Sequence, residues 1–137
     1  VRRLLPEGYE LDDDADRVDL DAVHDFLSLH SYWATGRPRE TVERLVREAS
    51  RVVGLYHQGQ QVGFSRAVTD GVSFAYLADV YVLPEHRGRG LGEEMVREMV
   101  DAAGWDVRWL LHTGDAKSLY RRVGFGEPSP RLMERAD

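Results

Sequence analysis

Hydrophobic and polar residues alternate with two different periods along this chain. Val42, Leu45, Val46 and Ala49 recur at i, i+3, i+4 and i+7, which predicts a helix over Arg39 to Ala49. Leu20, Val23, Phe26, Leu27 and His30 share one helical face, and Asp19 stands ready to cap it. Gly92, Met95, Val96, Met99, Val100 and Ala103 form a third apolar stripe from about Leu91 to Ala103, and Gly104 is placed to end that helix. Between the helical segments lie shorter runs rich in β-branched and aromatic residues. Arg51 to His57 and Gln61 to Thr69 predict two strands of a hairpin turning through Gln58-Gly59-Gln60. Asp70-Gly71 turns the chain into a strand from Ser73 to Val82. Arg108 to His112 predicts another strand, and a helix capped by Thr113 or Asp115 runs through Val123 to Gly124. Tyr9 to Leu11 reads as a short first strand and Arg131 to Arg135 as a last one. Ser31 to Pro38 is a loop holding Tyr32 and Trp33.

The predicted order is β-α-α-β-β-β-α-β-α-β. It calls for an α/β (α+β) fold with a mixed, mostly antiparallel sheet of six to seven strands and helices on both faces. At 137 residues the whole chain, 1–137, forms one domain with one core. No run of eighteen apolar residues occurs, so a membrane span is not expected, and no signal peptide is visible. The absence of cysteine excludes disulfides and thiolate catalysis and suits a reducing cytoplasm. No H-x-x-x-H pair occurs among the five histidines, so no metal site is expected.

The net charge of −6 is concentrated in the first twenty-five residues. Its plain reading is a solvated face; its sharper one is an acidic rim attracting a cationic substrate. An acidic chain without a basic stripe argues against nucleic acid as a partner.

The most informative stretch is Ala78-Asp-Val-Tyr-Val-Leu-Pro-Glu-His-Arg-Gly-Arg-Gly-Leu-Gly92. It reads as a strand, a stop at Pro84, a turn with three glycines and a helix start. Free N–H groups in a first helical turn, together with the helix dipole, suit a phosphate. Gly90-Leu91-Gly92-Glu93 lacks the Lys and hydroxyl of a Walker loop, and Gly88-x-Gly90-x-Gly92 lacks the dinucleotide spacing. The pattern that fits is Arg-x-x-Gly-x-Gly, at Arg87, Gly90 and Gly92. Here the chain resembles the GCN5-related N-acetyltransferases. A second block, Asp115-Ala-Lys-Ser-Leu-Tyr-Arg-Arg-Val-Gly-Phe125, resembles that family's Asn-x-x-Ala-x-x-Leu-Tyr-x-x-x-Gly-Phe, with Asp115 in place of Asn. The resemblance covers roughly residues 50 to 135.

The resemblance implies acetyl-CoA as co-substrate, with pyrophosphate in the loop Arg87, Gly88, Arg89, Gly90, Leu91 and Gly92. It implies pantetheine along Val80, Tyr81 and Val82, where the Val82 N–H faces the thioester carbonyl or makes an ordinary sheet bond. A V-shaped gap between two strands is expected there. Tyr120 corresponds to the tyrosine that protonates the departing sulfur; it also suits a core aromatic. Asp115 is expected to contact pantetheine, cap a helix, or both. The catalytic residues implied are Tyr120 and Asp79, the latter holding or deprotonating the amine unless it is a structural carboxylate. His112 is a second candidate base. Tyr32 and Trp33 are expected in an acceptor wall. The acceptor expected is a small amine, with a protein N-terminus or lysine as the alternative, and the sequence leaves a homodimer open. A non-catalytic acyl-CoA sensor and a protein-interaction module are the alternatives.

Overall fold

The computed structural model describes residues 1–136. Six strands form a single sheet in sequential order: β1 (Arg2–Leu4), β2 (Tyr9–Asp12), β3 (Arg51–His57), β4 (Gln60–Thr69), β5 (Phe74–Val82) and β6 (Arg108–Leu111). Neighbours from β1 to β5 are antiparallel, and β6 joins β5 in parallel. Four helices accompany them: α1 (Leu20–His30), α2 (Arg39–Glu48), α3 (Leu91–Asp101) and α4 (Lys117–Arg122).

The alternation of strand side chains builds two cores. On one face Val23, Phe26 and Leu27 of α1 and Val42 and Val46 of α2 pack against Val52, Phe64 and Tyr81. On the other, Leu91, Met95, Val96 and Met99 of α3 meet Val53, Leu55, Val62 and Leu77, joined by Tyr120 of α4. Met95, Val96 and Met99 are completely buried, and each contributes on the order of 2 kcal/mol. Among the described residues, no helix is long and apolar enough to cross a membrane.

Local chemistry explains the element ends. Asp19 caps α1 by accepting the Ala22 N–H at 3.1 Å. Gln58 (φ 52°) and Gly59 (φ 80°) supply the two positive dihedrals of a tight turn joining β3 to β4. Two expectations fail at the periphery. Arg2–Leu4 adds an edge strand that the sequence pattern does not announce, and Arg131 to Arg135 forms no strand.

Strand β5 is irregular in two ways, and both bear on the gap beside it. Its last pairing with β6 is Leu77 opposite Leu111. β5 continues to Val82 bonded to β4 alone, so the outer edge of residues 78–82 is free. The register also slips: Phe64 faces Tyr81, yet Arg66 faces Ala78. Ser65 therefore stands opposite both Asp79 and Val80, a β-bulge, with Asp79 in the left-handed region at φ 54°.

Candidate active site

The loop after β5 ends in a ready anion cradle. Gly90 precedes α3 with φ 74° and Gly88 has φ 80°, dihedrals a residue with Cβ adopts only at a cost. Among the described residues, no group accepts a hydrogen bond from the N–H of Gly88, Arg89, Gly90, Leu91, Gly92 or Glu93. Six consecutive donors at a helix start, with the positive end of its dipole, fit a pyrophosphate.

The side chains of this loop have other work. Arg87 Nε donates to the Val82 carbonyl at 2.8 Å, and Arg89 pairs with Glu7 at 2.9 Å. Leu91 is core. A Cβ on Gly92 would come within 3.1 Å of Leu119 Cδ1, whereas one on Gly90 meets nothing within 4 Å. Gly92 thus lets α4 pack close, while Gly90 is required for its dihedral. Glu93 and Glu94 in the first turn would oppose an anion. Each is paired, Glu93 with Arg122 at 2.7 Å and Glu94 with Arg3 at 2.6 Å.

Along the free edge of β5 the backbone alternates. The Leu83 N–H bonds Val62 on β4 at 2.8 Å. The Val82 N–H therefore points the other way, into the gap, on the side where its carbonyl meets Arg87. Val80 is the second residue of the bulge. Tyr81 differs from the expectation. Its N–H faces β4 by the same alternation, and its ring is buried, stacked on Phe26 with centroids 4.0 Å apart. Tyr81 serves the core and offers the gap neither backbone nor side chain.

α4 places Tyr120 in the core beside α3 and on the wall of the cleft along β6. Its ring is 9% exposed and meets Phe125 edge-on at 5.8 Å. Among the described residues, its hydroxyl has no hydrogen-bond partner. Burial, with Tyr32 and Asp115 nearby, pushes the phenol up to about 12, so it is protonated at neutral pH. Asp115 is exposed and caps nothing. The Thr113 hydroxyl takes the Ala116 N–H instead, at 3.0 Å.

Asp79 is the main correction. One carboxylate oxygen accepts from Trp33 Nε1 at 2.8 Å, the other from Arg37 Nη1 at 2.9 Å and Arg66 Nε at 2.7 Å. Burial pushes its pKa up, but the charge and hydrogen bond of Arg66, the charge of Arg37 and the Trp33 N–H outweigh this. The net position lies below the usual carboxylate value. A buried anion held by two guanidinium groups is a poor proton acceptor, so the geometry gives Asp79 a structural task. It pins the bulge and fastens the α1–α2 loop to the sheet. Tyr32 ties that same loop to the β6–α4 connection, its hydroxyl accepting the Gly114 N–H at 2.7 Å.

An open cleft of about 990 Å³ runs along β6 and beneath residues 126–134, with Tyr76, His112, Thr113, Lys117 and Tyr120 on its walls. Val80–Val82, the end of β5, and Arg87–Gly92 are not among its walls. His112 Nδ1 meets the Tyr76 hydroxyl, and its Nε2 lies 2.5 Å from Glu134. Tyr76, Arg37 and Arg66 escaped the sequence reading. Only the strand period, which places Tyr76 on the face of Ala78, hinted at the first of them.

A family model for the acetyltransferase (GNAT) domain matches residues 48–127. The chain belongs to the GNAT acetyltransferases. A GNAT-family crystal structure from Xanthomonas campestris pv. campestris superposes with a TM-score of 0.86 at 36% identity, covering 94% of this chain and 93% of that one. A Gibberella zeae protein whose name assigns it acetyltransferase activity only provisionally is 33% identical over 134 residues, covering 82% of this chain and 75% of its own. A rice protein named serotonin N-acetyltransferase 2, chloroplastic, is 31% identical over 132 residues, covering 89% of this chain and 64% of that protein.

Proposed function

We propose that this GNAT protein transfers acetyl from acetyl-CoA directly to a small amine. One observation carries the reading. The free N–H groups at the start of α3 adjoin the unpaired edge of β5, and that edge leads from Val82 to the point where β5 and β6 part. Pyrophosphate on the loop sets the direction of the cofactor. Its pantetheine arm lies along residues 78–82, bonding the Val82 backbone, and its acyl end reaches the apex of the gap near Ala78 and Leu77.

The chemistry needs alignment, an oxyanion donor and a proton for sulfur. The neutral amine attacks the carbonyl carbon, a C–N bond forms and the C–S bond breaks. A backbone N–H past the bulge stabilises the oxyanion. Tyr120 donates its proton to the departing thiolate, a task that its protonated state at neutral pH permits. No covalent enzyme intermediate is required. Exposed Tyr32 and Trp33, held by Gly114 and Asp79, give the acceptor an aromatic wall. The rice relative is named for serotonin, an alkylamine that carries an aromatic ring, which agrees with such a wall.

Calorimetry with acetyl-CoA and a thiol-release assay over an amine panel test this. Binding with amine-dependent release is expected. Binding without release for any amine would turn the reading toward an acyl-CoA sensor. Absence of binding would favour a protein-interaction module.

A further inference from the structure

Acetyl transfer leaves one proton without an acceptor. The attacking nitrogen must shed it, and Asp79 is committed to Arg37, Arg66 and Trp33. A second group of residues meets at the same end of the gap. Tyr76 pairs with Leu110 one step before β5 and β6 separate, and His112 lies one residue past the last rung at Leu111. Tyr76 shares its face with Ala78, which is opposite Arg66, while Leu77 and Leu111 belong to the core on the other face. Tyr76 and His112 therefore flank the apex on the side covered by α1, α2 and the Trp33 loop.

With Glu134 ionised and His112 neutral, the hydrogen bonds give proton flow one direction. An ionised Glu134 only accepts, so the His112 nitrogen 2.5 Å away, Nε2, carries the hydrogen. That leaves Nδ1 with its lone pair, facing the Tyr76 hydroxyl. The hydroxyl donates to Nδ1 and keeps its own lone pairs free. A carboxylate, an imidazole and a hydroxyl in this order match the logic by which a third group orients a base. The His112 and Glu134 side chains are 64% and 62% exposed, so a proton collected there leaves to water.

We propose that Tyr76, His112 and Glu134 form the proton-accepting relay for the acceptor amine, Tyr76 touching the amine and the other two acting through it. This rests on the proposed acetyl transfer. As the C–N bond forms, the N–H bond of the attacking nitrogen breaks and its proton joins Tyr76 Oη. The proton of Tyr76 passes to His112 Nδ1, and the imidazolium, donating Nε2–H to Glu134, later returns it to solvent. Tyr120, having given its proton to sulfur, takes one back from solvent, so every proton has an origin and a destination and no further reactant is involved. The other charged groups are Arg66 and Asp79 beside Tyr76 on the sheet, and Arg108, Lys117, Arg121, Glu127 and Arg131 on the cleft wall. Burial and Glu134 hold the Tyr76 phenol above its ordinary value, which suits a relay and not a standing phenolate.

The test is kcat/KM against pH for wild type, Tyr76→Phe, His112→Gly and Glu134→Gln, with an aromatic amine that is neutral over the range. Acetyl-CoA affinity and thermal melting are followed in parallel. Tyr76→Phe and His112→Gly should each lose on the order of 10²-fold at neutral pH, the usual range for such groups. Glu134→Gln should lose less and shift the acid limb. Added imidazole should restore His112→Gly and leave Tyr76→Phe unaffected. If wild type works and both variants stay within about twofold of it, the relay falls and acetyl transfer stands. Losses that track melting and ignore imidazole would make the three residues a mere clasp for the C-terminal segment, overturning the relay. A wild type that binds acetyl-CoA and releases no CoA with any amine overturns both readings.

Discussion

The indole N–H of Trp33 donates to the Asp79 carboxylate at 2.8 Å across 46 positions of sequence. Through this bond a loop between two helices is fixed to a bulge in the middle of the sheet. Arg37 comes from the same loop, and Arg66 from the strand opposite the bulge. One carboxylate thus determines both the path of β5 at the gap and the position of the aromatic wall above it.

Asp79→Asn is expected to cost on the order of 3 kcal/mol at neutral pH, because Arg37 and Arg66 would be left facing each other without a counter-charge. Asn tolerates the left-handed backbone at φ 54° as Asp does, so the change isolates the charge. The pH dependence has a definite sign. The folded pKa of Asp79 lies below its unfolded value. Its stabilisation is complete above the unfolded value, about 4, and fades as pH falls through the folded one. Urea unfolding of both proteins across acid pH measures this. The gap between them should close on acidification; equal stability at neutral pH would show that the carboxylate charge is unimportant.

Tyr120→Phe is expected to reduce kcat on the order of 10²-fold while acetyl-CoA affinity changes little, since the hydroxyl acts as sulfur departs. The ring contact with Phe125 is retained, so the melting temperature should stay near that of wild type. With its phenol held at about 12, Tyr120 should impose no alkaline decline on kcat below roughly pH 11. Steady-state kinetics with calorimetry separates these effects. A variant turning over at the wild-type rate would remove Tyr120 from the chemistry.

How much of the fold and site was legible in the sequence depended on what kind of signal each element sends. α2 and α3 were readable because each buries a regular stripe, and β3 and β4 because each is a nearly continuous run of buried residues. β1 was not: Arg2, Arg3 and Leu4 are all exposed on an edge strand that buries nothing, so no alternation marks it. Arg131 to Arg135 carries Leu132 and Met133 without burying either, and two apolar residues falsely suggested a strand. The glycine turn before α3 was legible because glycine spacing encodes backbone geometry directly. The role of Asp79 was not. Its partners lie 46, 42 and 13 positions away, and only the folded chain brings two arginines to one acid. His112 stood out as a candidate base, but its pairing with Tyr76 was hidden for the same reason, since it spans 36 positions.

Gly90→Val should weaken acetyl-CoA binding at least tenfold. A Cβ there meets no protein atom within 4 Å, yet φ is 74°. A β-branched residue resists that dihedral by more than the 1–2 kcal/mol typical of L-residues, roughly, and the loop would relax and turn its N–H groups away. Gly71→Val is the control. Gly71 also has open space and φ 79°, but it sits in the β4–β5 turn, away from the loop. Calorimetry should show lost affinity in the first variant alone. Equal affinity in both would mean that the N–H cradle does not hold the cofactor.

The acidic N-terminal segment offers a contrast between two ideas, steering and structure. Asp12 accepts from Arg17 at 3.1 Å, and Glu10 from the other nitrogen of the same guanidinium. Asp13 pairs with Arg51 at 2.8 Å, and Asp19 is bound to the start of α1. Arg17 also lies 3.8 Å over the ring of Tyr56. Arg51, with Arg39 on Asp21 and Arg89 on Glu7, brings compensating charge from outside the segment, and this weakens the field left to draw a cationic amine. Arg17→Ala should cost about 2 kcal/mol, losing a partly buried ion pair and a cation–π contact while leaving Asp12 buried without its partner. The kcat/KM of wild type for a cationic acceptor should vary less than about threefold as salt compresses the Debye length from roughly 30 to 8 Å. Chemical denaturation and an ionic-strength series measure the two. A steep fall in kcat/KM with salt, absent in a variant with Asp16, Asp21 and Asp25 changed to Asn, would restore the steering role.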